Sequence, residues 1–155
     1  LDWEYLPNAG WGSDRTRLYG VSWQTVRIDP WESHNSAHEE FGSFDGWHVL
    51  LMQVTKNAVH EFVDGREVAV HDGRNVPVAP MTLSFNLWFA VGGSLPAGGA
   101  PRVYDEDVDW VFHAKDQLLA PADVDAQVRA LRARHVARTD SVPAPNPPLQ
   151  QRCDI

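Results

Sequence analysis

The stretch WHVLLMQVTKNAVHEFVDGREVAVH, residues 47–71, decides the fold class. Trp47 to Val54 reads as one strand, Thr55-Lys56-Asn57 as a turn, and Ala58 to Val63 as the returning strand. Asp64-Gly65 then turns the chain again and Glu67 to His71 forms a third strand. β-branched and aromatic residues fill the runs, while Asn, Asp and Gly punctuate them. An Asp-Gly pair between two such runs is a strong hairpin signal, because both residues tolerate positive φ. An antiparallel meander is expected.

The same character extends outward, from Leu1 to about Asp116. Met81 to Phe89 alternates: Leu83, Phe85, Leu87 and Phe89 share one phase, Thr82, Ser84, Asn86 and Trp88 the other. The first set suits the space between two sheets, the second a cleft lining. A Gly/Pro-rich loop, 92–101, leads to a last expected strand from Val108 to Ala114. Short runs with frequent turn residues predict an all-β, two-sheet sandwich over residues 1–116.

Beyond it the pattern changes. Pro121 to Arg138 reads as a helix, with Pro121 in the first turn and Asp123 and Asp125 near the positive end of the dipole. Val124, Val128 and Leu131 form an apolar stripe, while Arg129, Arg132, Arg134 and Arg138 load the C-terminal half. Residues 117–140 are therefore expected to be a docking helix, and residues 141–155 a Pro-rich tail or linker.

Composition narrows the partners. The formal net charge of −8 disfavours nucleic-acid backbones and anionic membranes, and leaves neutral polymers such as glycans open. No apolar run reaches the roughly 20 residues of a membrane helix. The seven Trp suit a sandwich core or flat stacking surfaces for a ligand. A single cysteine, Cys153, can form no disulfide within the chain. His34 and His38 have a spacing that serves zinc on a helix, but Asn35-Ser36 and their surroundings do not read as one. Without an initiator Met or a signal segment, the chain is read as a processed or cut piece.

Four motifs in order, covering residues 1–116, resemble family 16 glycoside hydrolases, the laminarinases, lichenases and related β-glucanases. Leu1-Asp2-Trp3-Glu4 resembles their catalytic strand, Glu-x-Asp-x-Glu, from its second position onward. Phe44-Asp45-Gly46-Trp47-His48 with Phe62-Val63-Asp64-Gly65 resembles the outer-sheet hairpin. Pro80 to Trp88 resembles the inner strand ending Asn-Leu-Trp, and Val108-Asp109-Trp110-Val111 the final strand. The resemblance implies the C-terminal portion of a concanavalin-like jelly roll from a secreted, extracellular, retaining endo-glycosidase acting on a β-glucan-type polysaccharide.

By that resemblance Glu4 is the general acid/base and Asp2 the carboxylate supporting the nucleophile, which is expected just before Leu1. This chain alone is then expected to be inactive. Alternation independently puts Asp2 and Glu4 on one strand face, and crowded carboxylates raise the pKa of one, as a general acid requires. Asn86 and Trp88 are expected to line the cleft. Trp11 and Trp31, in Gly/Pro-flanked loops, are candidate sugar platforms. Trp23, with Tyr19, belongs either to the core or to the cleft. Trp3, Trp47 and Trp110 are expected to pack. The resemblance also implies a structural calcium held partly by Asp109, with its other ligands upstream. A monomer is expected. The rival reading is a non-catalytic glycan-binding sandwich module, which needs the aromatic platforms but not the paired carboxylates; a structural cell-surface domain with no ligand is a third.

Overall fold

A computed structural model describes residues 1–10, 12–89, 101 and 103–148. The chain divides into two compact units, one of Leu1–Ala79 with Phe85–Asp107, the other of Pro80–Ser84 with Val108–Ile155.

The first unit holds two antiparallel three-stranded sheets. One is β1 (Asp2–Leu6), β2 (Arg17–Arg27) and β3 (Glu32–Phe41); the other is β4 (Leu50–Val54), β5 (Ala58–Val63) and β6 (Arg66–Asp72). Each is a meander in chain order, and together they form a partial β-sandwich.

The second sheet is the meander expected from residues 47–71. Its β5–β6 turn uses Asp64 at φ 50° and Gly65 at φ 80°, the mirror-image turn geometry that matches the twist of paired strands. Asp64 also anchors the approach to β4: its carboxylate accepts the Val49 N–H at 2.9 Å and lies 2.8 Å from His48 Nδ1. Burial opposes ionisation of Asp64, but those two partners outweigh it and hold the carboxyl below its ordinary value. β4 begins at Leu50 rather than Trp47, so Trp47 precedes the strand and is 69% exposed instead of packed.

Register and alternation assign the faces of the first sheet. Asp2 opposes Val21, Glu4 opposes Tyr19, and Tyr19 opposes Glu39. One face therefore carries Asp2, Glu4, Tyr19, Trp23 and Glu39; the other carries Trp3, Leu18, Gly20, Ser22, Ser36 and His38. The second sheet meets this other face. His71 Nδ1 lies 2.7 Å from Ser36 Oγ, Asn75 donates to the Ser22 carbonyl at 2.9 Å, and Arg66 donates to Glu40 at 2.7 Å.

Between the sheets the alternate residues Val59, Glu61 and Val63 are buried. Glu61 is 0% exposed and fits where Gly20 has no side chain: a Cβ on Gly20 would lie 1.8 Å from Glu61 Oε2. His71 Nε2 is 3.3 Å from that oxygen, an ion-pair distance without hydrogen-bond alignment.

Two expected strands do not form. Met81 to Phe89 and Val108 to Ala114 lie in neither sheet, and Leu83, Phe85, Leu87 and Phe89 are exposed. Alternation shows that a segment can line a pleated surface, but a strand exists only with a neighbour to complete its backbone ladder. Among the described residues no segment pairs with either stretch.

In the second unit, α1 (Pro121–Ala133) buries Val124 and Val128, as the apolar stripe implies. It ends five residues short of Arg138. His135 takes φ 54°, its N–H bonds the Arg132 carbonyl at 2.9 Å, and the Val136 N–H bonds the Leu131 carbonyl at 3.0 Å. That is a Schellman closure with histidine at the left-handed position, and it stops the helix. Residues 141–148 form neither helix nor strand; Cys153 lies outside the described residues.

Candidate active-site face

Glu4 and Asp2 occupy the face of the first sheet turned away from the second. Asp2 is exposed and Glu4 half-buried. Burial first, and then the charge of Asp2, push the Glu4 carboxyl above its ordinary value of 4.5. A carboxyl so placed retains its proton to higher pH than a free glutamate, which is the property of a general acid.

Across from Glu4 stands a cluster of Tyr19, Arg17 and Glu39, of which sequence reading singles out only Tyr19. Tyr19 is its direct cross-strand neighbour, at the Cβ separation of about 4.5–5.5 Å typical of such pairs. Arg17, two residues earlier on the same face, is 3% exposed. Its Nη1 bonds Glu39 at 3.1 Å, its Nη2 bonds the Gly10 carbonyl at 2.6 Å, and its guanidinium carbon lies 4.6 Å from the Tyr19 ring centroid. The only signal for this cluster was the alternation Arg17, Tyr19, Val21, Trp23. Its meaning depended on the register between strands.

Trp23 joins this face, four residues or about 13 Å along β2 from Tyr19, opposite Asn35. The choice left open between core and cleft thus falls on the face of Glu4. Trp31 is 63% exposed in the turn between β2 and β3, its indole N–H bonding Ser33 Oγ at 3.1 Å. That turn begins after Arg27, eight residues along β2 from Tyr19, so roughly 26 Å separates it from the Glu4 row. Asn86 and Trp88 lie outside any strand, and Trp88 is 68% exposed. Trp11 lies outside the described residues.

Asp109, in the second unit, pairs with Arg132 of α1. Calcium takes six to eight oxygen ligands. The guanidinium beside Asp109 does not fit that donor set, and among the described residues no group of three His, Cys, Asp or Glu side chains is placed to hold a metal ion. His34 and His38 lie on β3, about 13 Å apart, too far to share one ion.

Comparison of the chain with protein-family models, with curated proteins and with solved structures finds no match.

Proposed function

We propose that this chain is part of a secreted, retaining endo-glycosidase with a concanavalin-like jelly roll, acting on a β-glucan-type polysaccharide. The observation that carries the reading is Glu4 itself: a half-buried carboxyl on the sheet face that also carries the buried Leu6, Arg17 and Val21, pushed above its ordinary value by burial and by Asp2. In this reading the nucleophile is the position before Leu1, on the same strand face. Glu4 protonates the glycosidic oxygen as the nucleophile attacks the anomeric carbon. It then takes a proton from the water that hydrolyses the glycosyl-enzyme, while Asp2 supports the nucleophile. Trp23, on the same face, offers a flat apolar surface to a sugar ring.

The test is hydrolysis of soluble β-glucans by the protein extended upstream to include that position. Glu4→Gln is expected to lower kcat at least 100-fold, the scale of a lost general acid. In the wild type, activity should fall on the alkaline side only above the ordinary glutamate range. A Glu4→Gln protein as fast as wild type overturns the assignment. A second reading, a glycan-binding module, draws support from the exposed Trp23 and Trp31. It is distinguished by oligosaccharide binding without turnover in the extended protein.

A further inference from the structure

Where the two sheets meet lies a pair of ionisable side chains that the proposed chemistry does not use. Glu61 of β5 is 0% exposed, and neither of its carboxyl oxygens has a hydrogen-bond partner. His71 of β6 is 2% exposed; its Nε2 stands 3.3 Å from Glu61 Oε2 and also lacks a bond, while its Nδ1 lies 2.7 Å from Ser36 Oγ of β3. Across from the carboxyl, β2 presents only Gly20, and a Cβ there would also meet the Trp3 ring at 3.1 Å. Trp3 of β1 therefore borders the same spot.

Few other ionisable groups face this pair. β1 brings the Leu1 amino group and β3 brings His38, while β4 has no ionisable residue and β2 turns Arg17 and Tyr19 to its other face. His38 is engaged at 2.7 Å by Glu40, which also takes Arg66 at 2.7 Å, so His71 is the partner left to Glu61. A carboxylate without hydrogen bonds in such a place needs a compensating charge, and so does an imidazolium. One proton on the pair meets both needs, as carboxylic acid beside imidazole or as carboxylate beside imidazolium. No proton leaves a buried, uncompensated anion. Burial accordingly holds the Glu61 carboxyl above its ordinary value of 4.5, with His71 pulling the other way.

What gives way is decided by what holds each part together. Within each sheet the strands are joined by hydrogen-bonded ladders. Between the sheets the polar contacts are separate hydrogen bonds: Ser36 with His71, Asn75 with the Ser22 and His34 carbonyls, and Arg66 with Glu40. Water can replace each of these when the sheets separate. We infer that Glu61 and His71 form a proton-operated latch between the two sheets: one proton on the pair keeps them closed, and its loss lets them part while each keeps its strands.

The experiment is fluorine NMR of the 155-residue chain labelled with 5-fluorotryptophan, the Trp3 resonance assigned by its loss in Trp3→Phe. As pH is raised from about 5 to about 9, the Trp3 resonance is expected to move toward its position in the unfolded chain, while the far-UV circular dichroism of the strands holds. Loss of one proton makes the ratio of open to closed grow about tenfold per pH unit above the midpoint. Glu61→Gln, neutral at every pH, is expected to keep the Trp3 resonance in place. A wild-type resonance that stays, one that moves equally in Glu61→Gln, or strands lost together with it overturns the inference. Should Glu61→Gln fail to fold, the wild type decides alone. The Glu61 carboxyl carbon, assigned through its own backbone, must titrate with the Trp3 midpoint, and two separate midpoints overturn the latch.

Discussion

Glu61 occupies the apolar phase of β5, between Val59 and Val63, and that anomaly is visible in the sequence. What it could not reveal is the partner: Gly20, which leaves room for the side chain, and His71, which faces it, come from other strands. Asp2 and Glu4 were legible as a pair because alternation is local, whereas Arg17, Tyr19 and Glu39 gain their meaning only from pairing across three strands. Burial drives the Glu61 carboxyl above its ordinary value of 4.5, although His71, and more weakly His38 and the Leu1 amino group, pull it back. The folded state therefore binds this proton more tightly than the unfolded chain. Its contribution is fully present below pH 4.5 and is lost as pH rises through the folded value. Chemical-denaturant unfolding of wild type and Glu61→Gln across pH 4–8 should show the wild type losing ground to the variant as pH rises. A pH-independent difference would refute this.

At the scale of elements, what was legible was what closes locally. The β4–β6 meander follows from Thr55-Lys56-Asn57 and Asp64-Gly65, whose turns need no distant help; Thr55 Oγ1, for example, accepts the Ala58 N–H at 2.9 Å. Met81 to Phe89 has equally good alternation and no strand, because its ladder depends on a neighbour that no local rule supplies. The helix lies between these cases. Its start and stripe were visible, but its end was not, since nothing in Arg134-His135-Val136 advertises a left-handed residue. Histidine at φ 54° carries a Cβ penalty that glycine avoids, partly offset by the greater freedom glycine has when unfolded. His135→Gly is accordingly expected to stabilise α1 by about 0.5 kcal/mol, read as a higher midpoint of the 222 nm thermal transition. A lower midpoint would show that the histidine side chain makes a contribution that the closure geometry does not reveal.

For the molecule as a whole, two opposed quantities govern behaviour in solution. Met81, Leu83, Phe85, Leu87, Trp88 and Phe89 are all exposed, and apolar runs of this kind associate. A net charge of −8 opposes association by repulsion. Salt shortens the reach of that repulsion from about 10 Å at ~0.1 M to about 3 Å at ~1 M and leaves apolar attraction intact. Sedimentation velocity should therefore show association that grows with protein concentration and more steeply at high salt; association that weakens with salt would mean that ion pairs hold the copies together. Within the first unit, the carboxylate beneath Gly20 has a last consequence. A flat apolar interface lets two sheets slide over one another at little cost, but here one long side chain enters a notch that a single glycine provides. A shift of one residue along β2 would bring it up against the backbone flanking Tyr19 or Val21. Glu61 thus works as a locating pin: it indexes the second sheet on the face of the first that carries Trp3, Leu18 and Ser22, and fixes which residues of the two sheets meet.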